Sequence, residues 1–327
     1  MDSETYSSLI YKSFNISSTK ERINLTFEYE VPDYSTFKHQ IRINKNNFKI
    51  RPISSNLIQS LIFNIGMVVL LDYWHLVKTP TISIDCCILD QDQISWWKDF
   101  YFNSINEQIN INNNASNKIV LEKIIYDDND FSGYIVPIED KNSCITLETL
   151  NLNKQNDYCL VFDNNQTLIE CAELAGFTQS NIINVLQTYD KKIVDLPSKD
   201  NSSLIAFTTY FLCYLLSKKY VAVSNSEKVK TYGRSIEFEN AFRKYADKFL
   251  PTPIEYFSFL RPLNNLQVAK TYAKLTKYHP LYNTASAISL DKKIQPSMAA
   301  AKFNSSYYIV QNNLIPEQEF LLKKILL

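Results

Sequence analysis

Three short segments carry residue types and spacings able to do chemistry. The first is Pro137-Ile138-Glu139-Asp140-Lys141-Asn142-Ser143-Cys144-Ile145-Thr146. It lies between a β-rich run and a helical one, where free backbone N–H groups and the positive end of a helix dipole converge on an anion. Lys141 adds a charge and Ser143 a hydroxyl donor, so the segment is a candidate phosphate site. Asn142 or Ser143 as a plain helix N-cap is the structural alternative, and Glu139-Asp140 argues against a phosphate. The second is Val223-Ser224-Asn225-Ser226-Glu227, another strand end that turns polar, followed by Tyr232, Arg234, Ser235, Glu237 and Glu239. Strand ends on one edge of a parallel sheet share a crevice, so Ser224, Asn225 and Arg234 are expected to face Lys141 and Ser143. Here the alternative is a solvated turn with Ser235 as N-cap. The third is Tyr256-Phe257-Ser258-Phe259-Leu260-Arg261-Pro262-Leu263. An arginine inside an apolar run is expensive to bury alone, so Arg261 should hold a carboxylate, a phosphate or backbone carbonyls. A structural ion pair satisfies that demand as well as a ligand does.

Other chemistries lack their signatures. His39, His75 and His279 stand apart from one another, and no Cys or His has metal-ligand spacing, so no metal site is expected. The six cysteines, at 86, 87, 144, 159, 171 and 213, read as small buried hydrophobes. GxSxG, GxGxxG, HExxH and Walker patterns do not occur, and with 4 glycines in 327 residues Gly-rich phosphate loops are nearly excluded. Asparagine tolerates the left-handed region and is a candidate substitute in turns, although its abundance reads first as the compositional bias of an AT-rich genome. Lys plus Arg balances Asp plus Glu at 34 each, so no overall field attracts nucleic acid or an anionic membrane. The N-terminus lacks a basic-then-apolar leader pattern, and the longest apolar run, 61–71, contains Asn64 and stops at Asp72. A cytoplasmic protein is expected.

The elements that position these segments follow from periodicity. Leu25, Phe27, Tyr29 and Val31 alternate with polar residues, and Ile41, Ile43, Phe48 and Ile50 follow a Pro32-Asp33 turn, which predicts a hairpin. Residues 56–77 predict a buried helix, 81–84 a strand, and Asp90 an N-cap before a helix bearing Ile94, Trp97, Phe100 and Tyr101. The polar, Asn-rich stretch 103–117 reads as a loop and a soft domain boundary. Beyond it, 134–138, 158–162, 182–186 and 220–223 read as doubly covered strands, with 167–175 and 203–218 as crossover helices. Phe238, Phe242, Tyr245 and Phe249 form one face of a later helix, and Glu239, Arg243, Lys244 and Asp247 are placed on its solvated face. The fold class is therefore α/β: a mainly parallel sheet with helices on both faces over 118–327, including a helical C-terminal part, preceded by a smaller α+β unit over 1–117.

At these segments the chain resembles the bacterial UDP-N-acetylmuramoyl-L-alanyl-L-glutamate epimerase family, the MurL-like proteins, whose second half resembles PP-loop ATP pyrophosphatases of HUP-like architecture. The resemblance spans nearly the whole chain. Phe63-Asn64-Ile65-Gly66-Met67, Asp72-Tyr73-Trp74, Gln93-Ile94-Ser95-Trp96-Trp97-Lys98, Pro137 to Thr146, Ser224-Asn225, Tyr232 to Glu239 and Phe257 to Leu263 carry it. It implies ATP- and magnesium-dependent activation of a glutamyl carboxylate as an adenylate, then inversion at the α-carbon, on a peptide or amino-sugar peptide substrate. Lys141, Ser143, Ser224 and Asn225 are the expected cofactor-binding residues, and Tyr232, Arg234, Ser235 and Arg261 the expected substrate-binding ones. No residue is singled out as the catalytic base.

The departures from the family fall on the chemistry. Where the family has a Gly-Gly-Lys-Asp-Ser type loop this chain reads Glu139-Asp140-Lys141-Asn142-Ser143, which removes close backbone approach, adds negative charge beside a pyrophosphate and deletes a magnesium ligand. Ser198-Lys199-Asp200-Asn201-Ser202 replaces a Gly- and His-containing stretch. A cysteine-rich segment after the Arg-Pro-Leu string is replaced by Asn283-Thr284-Ala285-Ser286 and Met298-Ala299-Ala300-Ala301. Two function classes follow: an active, diverged enzyme that activates a carboxylate with ATP on a peptide or amino-sugar peptide, its turnover expected to be weak or absent because of the altered loop, or an inactive relative that binds a peptide, a nucleotide or a partner protein.

Overall fold

The computed structural model describes residues 6–45, 48, 50–51, 55–102, 109–115, 130–190, 201–227, 231–250 and 254–281. Ser198-Lys199-Asp200, Asn283 to Ser286 and Met298 to Ala301 lie outside the described residues. The chain opens with an antiparallel meander, β1 (Leu9–Ser18), β2 (Arg22–Val31) and β3 (Ser35–Asn44). The expected alternation holds: Leu25, Phe27, Tyr29, Val31, Ile41 and Ile43 are buried, as an antiparallel sheet with one solvated face requires. β1 was not legible, because its register shifts between Tyr11 and Ser13, and a bulge breaks the period-2 pattern that reveals a strand.

Helix α1 (Ser55–Val77) lies across the covered face. Its length and composition would span a bilayer, but 72% of the apolar window is buried against the rest of the protein. Gly66 sets how closely it approaches the sheet. A Cβ there would stand 1.8 Å from the Tyr11 hydroxyl and 2.7 Å from the Phe27 ring, while the Tyr29 hydroxyl donates to the Gly66 carbonyl at 2.7 Å.

β4 (Thr81–Ile84) pairs in parallel with β1, and β5 (Asn110–Asn113) pairs in parallel with β4. The loop expected over 103–117 therefore contains an edge strand. Asparagine is a poor strand former, but Asn113 donates to the carbonyls of Ile84 and Cys87 and accepts the Leu89 N–H, so side-chain amides pin this edge. A capping box of Asp90 and Gln93 starts α2 (Gln91–Ser95), which widens into a π-helical turn over Trp96–Phe102. Trp97 stacks on Phe207 at 5.5 Å, and the Trp96 indole donates to the Ala241 carbonyl.

The second half alternates as expected: β6 (Tyr134–Pro137), α3 (Asn142–Thr149), β7 (Tyr158–Phe162), α4 (Gln166–Leu174), β8 (Ile182–Thr188), α5 (Ser202–Leu216), β9 (Tyr220–Val223), α6 (Ile236–Phe249), β10 (Glu255–Ser258) and α7 (Asn265–Ala273). Neighbouring residues along its strands divide between two cores. Ile135, Leu160, Ile183 and Val221 join α5 and α6, whereas Val136, Val161, Ile182 and Ala222 join α3, α4 and α7, so helices cover both faces. The fold is α/β, and the described residues form a ten-stranded, mostly parallel sheet in the order β10-β9-β6-β7-β8-β3-β2-β1-β4-β5. The meander and the parallel strands meet where β3 pairs antiparallel with β8, from Gln40 opposite Thr188 to Ile43 opposite Val185. The expected boundary at residue 117 lies outside the described residues.

Among the described residues, positive φ is taken up mostly by residues other than glycine. Asp33, Lys78, Asp163, Asn164 and Ser217 adopt positive φ, so aspartate contributes more to these turns than asparagine. All six cysteines are buried, as expected.

Gly66→Ala should lower stability by about 2 kcal/mol, because overpacking against Tyr11 and Phe27 outweighs the gain in helix propensity. Urea unfolding followed by circular dichroism measures it, and an unchanged or raised midpoint would show that α1 does not seat on the sheet at this position.

Candidate functional site

The strand order reverses at β6. From there β7 and β8 run to one side, while β9 and β10 lie on the other. In an open parallel sheet such a reversal leaves a crevice at the carboxyl ends of the two strands, here β6 and β9. The loops after β6, β9 and β10 bring the three segments to this end. Thr146 and Ser224 share a buried hydroxyl hydrogen bond of 2.9 Å, tying α3 to the end of β9.

The helix start at the first segment is satisfied locally. The Glu139 N–H donates to Ser143 Oγ (3.1 Å), Asn142 N–H to Asp140 Oδ1 (2.8 Å), Ser143 N–H to the Asp140 carbonyl (3.0 Å) and Cys144 N–H to the Lys141 carbonyl (3.2 Å). Neither Asn142 nor Ser143 is the N-cap. Lys141 occupies that position with helical backbone angles and no side-chain cap bond, and Ser143, fully buried, reaches back to Glu139 instead. Burial pulls the Lys141 ammonium down to about 8, partly opposed by Asp140.

Arg234 closes the loop from across the crevice. Its Nη2 donates to Glu139 Oε2 at 2.8 Å, Nη1 to Asp140 Oδ2 at 3.0 Å and Nε to Ser202 Oγ at 3.0 Å, so each nitrogen of the fork has a partner. From sequence, Glu139 and Asp140 were expected only to repel an anion. They are instead the counter-ions of the guanidinium that stands where the anion was expected.

Arg261 lies behind Arg234. Its Nη1 donates to the Ser226 carbonyl (2.8 Å), and its Nη2 to the Arg234 carbonyl (2.9 Å), Glu239 Oε2 (3.0 Å) and Ser258 Oγ (3.0 Å). A carboxylate and backbone carbonyls therefore meet the demand inferred from its apolar surroundings. Glu239 was placed on a solvated helix face, but it is buried, shared between Arg261 and Arg243 (3.1 Å), and accepts the Ser258 N–H. The charge of Arg261 overrides the helical periodicity, since a buried guanidinium needs a carboxylate beside it. The signal was present as Glu239 and Arg243 four residues apart, upstream of the unexplained Arg261.

Of the remaining expected residues, Ser235 is the N-cap of α6, accepting the Phe238 N–H at 3.0 Å. Tyr232 begins a single 3-10 turn and packs edge-on against Phe238. Asn225 is buried and donates to Ser258 Oγ at 3.4 Å. Ser202 and Thr146 take part without having been singled out. Among the described residues no group of three or more His, Cys, Asp or Glu could hold a metal. His39 packs against Tyr73 and Tyr189, His75 against Trp74 and His279 against Tyr272.

Arg234→Met should destabilise by about 2 to 3 kcal/mol at neutral pH, less than a fully buried pair because the guanidinium is partly exposed. Urea unfolding followed by circular dichroism measures it, and an unchanged midpoint would show that Arg234 makes no net contribution to stability. Lys141 carries a pH dependence. Its folded-state value lies below its unfolded one, so the unfolded chain binds more protons between pH about 8 and about 10.4, and stability rises with pH across that window. Lys141→Met should flatten this rise in denaturant titrations, and parallel profiles for the two proteins would contradict it.

A family model described as the MurL N-terminal domain matches residues 1–201. It covers the meander, α1 and the first crevice segment, and it stops short of Ser224, Arg234 and Arg261. No curated protein and no solved structure matches the chain.

Proposed function

Because the chain belongs to the MurL N-terminal domain family, matched over 201 of its 327 residues, we propose that it is a diverged MurL-like protein of peptidoglycan-precursor epimerisation. Its reaction is ATP-dependent activation and inversion of a glutamyl residue in a peptide or amino-sugar peptide, and in this chain that reaction is impaired. We read the parallel strands β6 to β10 as its PP-loop-like part, with the nucleotide at Lys141, Ser143, Ser224 and Asn225 and the glutamyl peptide toward Tyr232, Arg234, Ser235 and Arg261. The observation that carries this reading is family membership combined with the β6/β9 crevice, into whose loops the Lys141, Ser143 and Arg234 segments run. Activation as an adenylate removes the negative charge of the carboxylate and makes the neighbouring α-proton more acidic.

The loop itself does not fit a triphosphate in this arrangement. A phosphate cradle presents free amides, yet the N–H groups of 139, 142, 143 and 144 are all donated locally. Two unit charges about 4 Å apart repel by about 4 kcal/mol at an effective dielectric near 20. Arg234 cancels much of that repulsion, but in doing so it commits its own donors. No step through ATP or magnesium is therefore assigned to these residues. This closed loop favours the second reading, an inactive relative that retains the crevice for a peptide, nucleotide or partner protein.

Pyrophosphate release with ATP, magnesium and UDP-N-acetylmuramoyl-L-alanyl-L-glutamate tests both readings, beside a Glu139→Gly, Asp140→Gly, Asn142→Asp variant. The unmodified chain should turn over weakly or not at all. The variant should gain at least about tenfold in pyrophosphate affinity, because Arg234 is released toward the phosphate while two repulsive charges disappear. Robust turnover by the unmodified chain would overturn the impairment, binding of the peptide without turnover in either protein would support the inactive reading, and no binding by either would sink both.

A further inference from the structure

Cys144 and Cys171 are 27 residues apart in sequence, yet their Sγ atoms stand 3.0 Å from each other. Non-bonded carbon atoms rest about 3.5 to 4.0 Å apart and sulfur is larger, so the two sulfurs lie inside ordinary packing contact, within about 1 Å of a disulfide bond. Two helices bring them together. Cys144 is on the first turn of α3 and Cys171 is on α4, both fully buried in the core that these helices share with β7. Cys86, Cys87 and Cys213 belong to the other core, which leaves Cys159 of β7 as the one further cysteine in this one.

The three sulfurs are not equivalent. A thiolate is the reactive form of cysteine, and the positive end of a helix favours it. Cys144 is the third residue of α3, whereas Cys171 is the sixth of the nine in α4, away from that helix's positive end. Cys159 has no helix end beside it in β7, and burial pushes its thiol well above the usual range. The route in from solvent is the loop before α3, whose closing pair of Arg234 and Asp140 is partly exposed, with 29% and 36% of the side chains open.

We propose that Cys144 and Cys171 are an oxidisable dithiol, which a hydroperoxide converts to a disulfide that staples α3 to α4. The Cys144 thiolate attacks the outer peroxide oxygen. An S–O bond forms, the O–O bond breaks, and the departing alkoxide takes the proton that Cys144 gave up. Cys171 then attacks the sulfenic sulfur, so that the S–S bond forms, the S–O bond breaks, and hydroxide leaves as water with the Cys171 proton. Two electrons pass from the sulfurs to the peroxide. The bond anchors the first turn of α3, beside Ser143, whose Oγ accepts the Glu139 N–H, and oxidation thereby holds the crevice loop closed. The inference does not depend on the epimerase reading.

Hydrogen peroxide added to the fully reduced chain tests it, with trypsin and a glutamate-specific protease cutting between Cys144, Cys159 and Cys171 before mass spectrometry. The Cys144 and Cys171 peptides should become joined with the loss of two hydrogens, and dithiothreitol should separate them. The stapled protein should melt about 5 °C higher, because the bond closes a loop of 27 residues in the unfolded chain. Amide hydrogen exchange at Glu139 and Ser143 should slow about tenfold on oxidation. Dimedone, which traps sulfenic acids, should label Cys144 in Cys171→Ser and leave Cys171 unlabelled in Cys144→Ser, with both variants checked for an unchanged circular dichroism spectrum; the mapping on the unmodified chain needs neither. No linkage of Cys144 to Cys171 at millimolar peroxide, a linkage through Cys159 in its place, or an unchanged melting temperature would overturn the staple. Label on Cys171 instead of Cys144 would overturn the order of attack, and unaltered exchange would overturn the hold on the loop.

Discussion

A carboxylate removed from water between two guanidinium groups organises this end of the molecule. Glu239 compensates Arg261 and Arg243, and without it Arg261 would be a cation in an apolar setting, an arrangement that protein interiors do not tolerate. Three other features depend on that pairing. The end of β10 is fixed because Ser258 donates its N–H to Glu239 and its hydroxyl accepts from Arg261. The 3-10 turn that carries Arg234 is held by its own carbonyl. The loop after β9 is fixed through the Ser226 carbonyl. The direction of Arg234 thus follows from residues that never touch the loop it closes.

The same logic explains why an acidic loop sits at a helix N-terminus built for anions. Glu139 and Asp140 are the anions there, and Arg234 and Ser202 complete their coordination. A site of this kind is preorganised and electrically closed. A ligand gains only by exchanging with an existing pair, so the exchange rather than simple attraction sets its affinity. Lys141, depressed by burial, contributes less positive charge than its residue type implies.

Much of this architecture was legible in the sequence. The hairpin, α1, β4, four parallel strands and the crossover helices follow from periodicity, because doubly covered strands and one-sided strands leave different patterns. What was not legible shares a physical cause: a local rule was overridden by a distant partner. β1 is hidden by its bulge, β5 by asparagines whose amides bond to another strand, and the burial of Glu239 by an arginine 22 residues downstream. At the crevice, the meeting of the Arg234 segment with the loop after β6 was readable from strand ends. That Arg234 would spend its fork on Glu139 and Asp140 was not, since no spacing rule links residues 94 and 95 positions apart.

The antiparallel join of β3 to β8 has a consequence for how the chain is made. Gln40 meets Thr188, a separation of nearly 150 residues whose closure costs of order 4 kcal/mol of chain entropy. During synthesis the meander emerges early, with the backbone donors and acceptors of β3 unpaired along one side until β8 arrives. An exposed edge of alternating Phe37, His39, Ile41 and Ile43 is a template for pairing with another nascent chain. Slow, late completion of a sheet is thus built into the topology, and fragments ending before residue 188 retain the open edge. The family match, which runs to 201, takes in the strand that closes it.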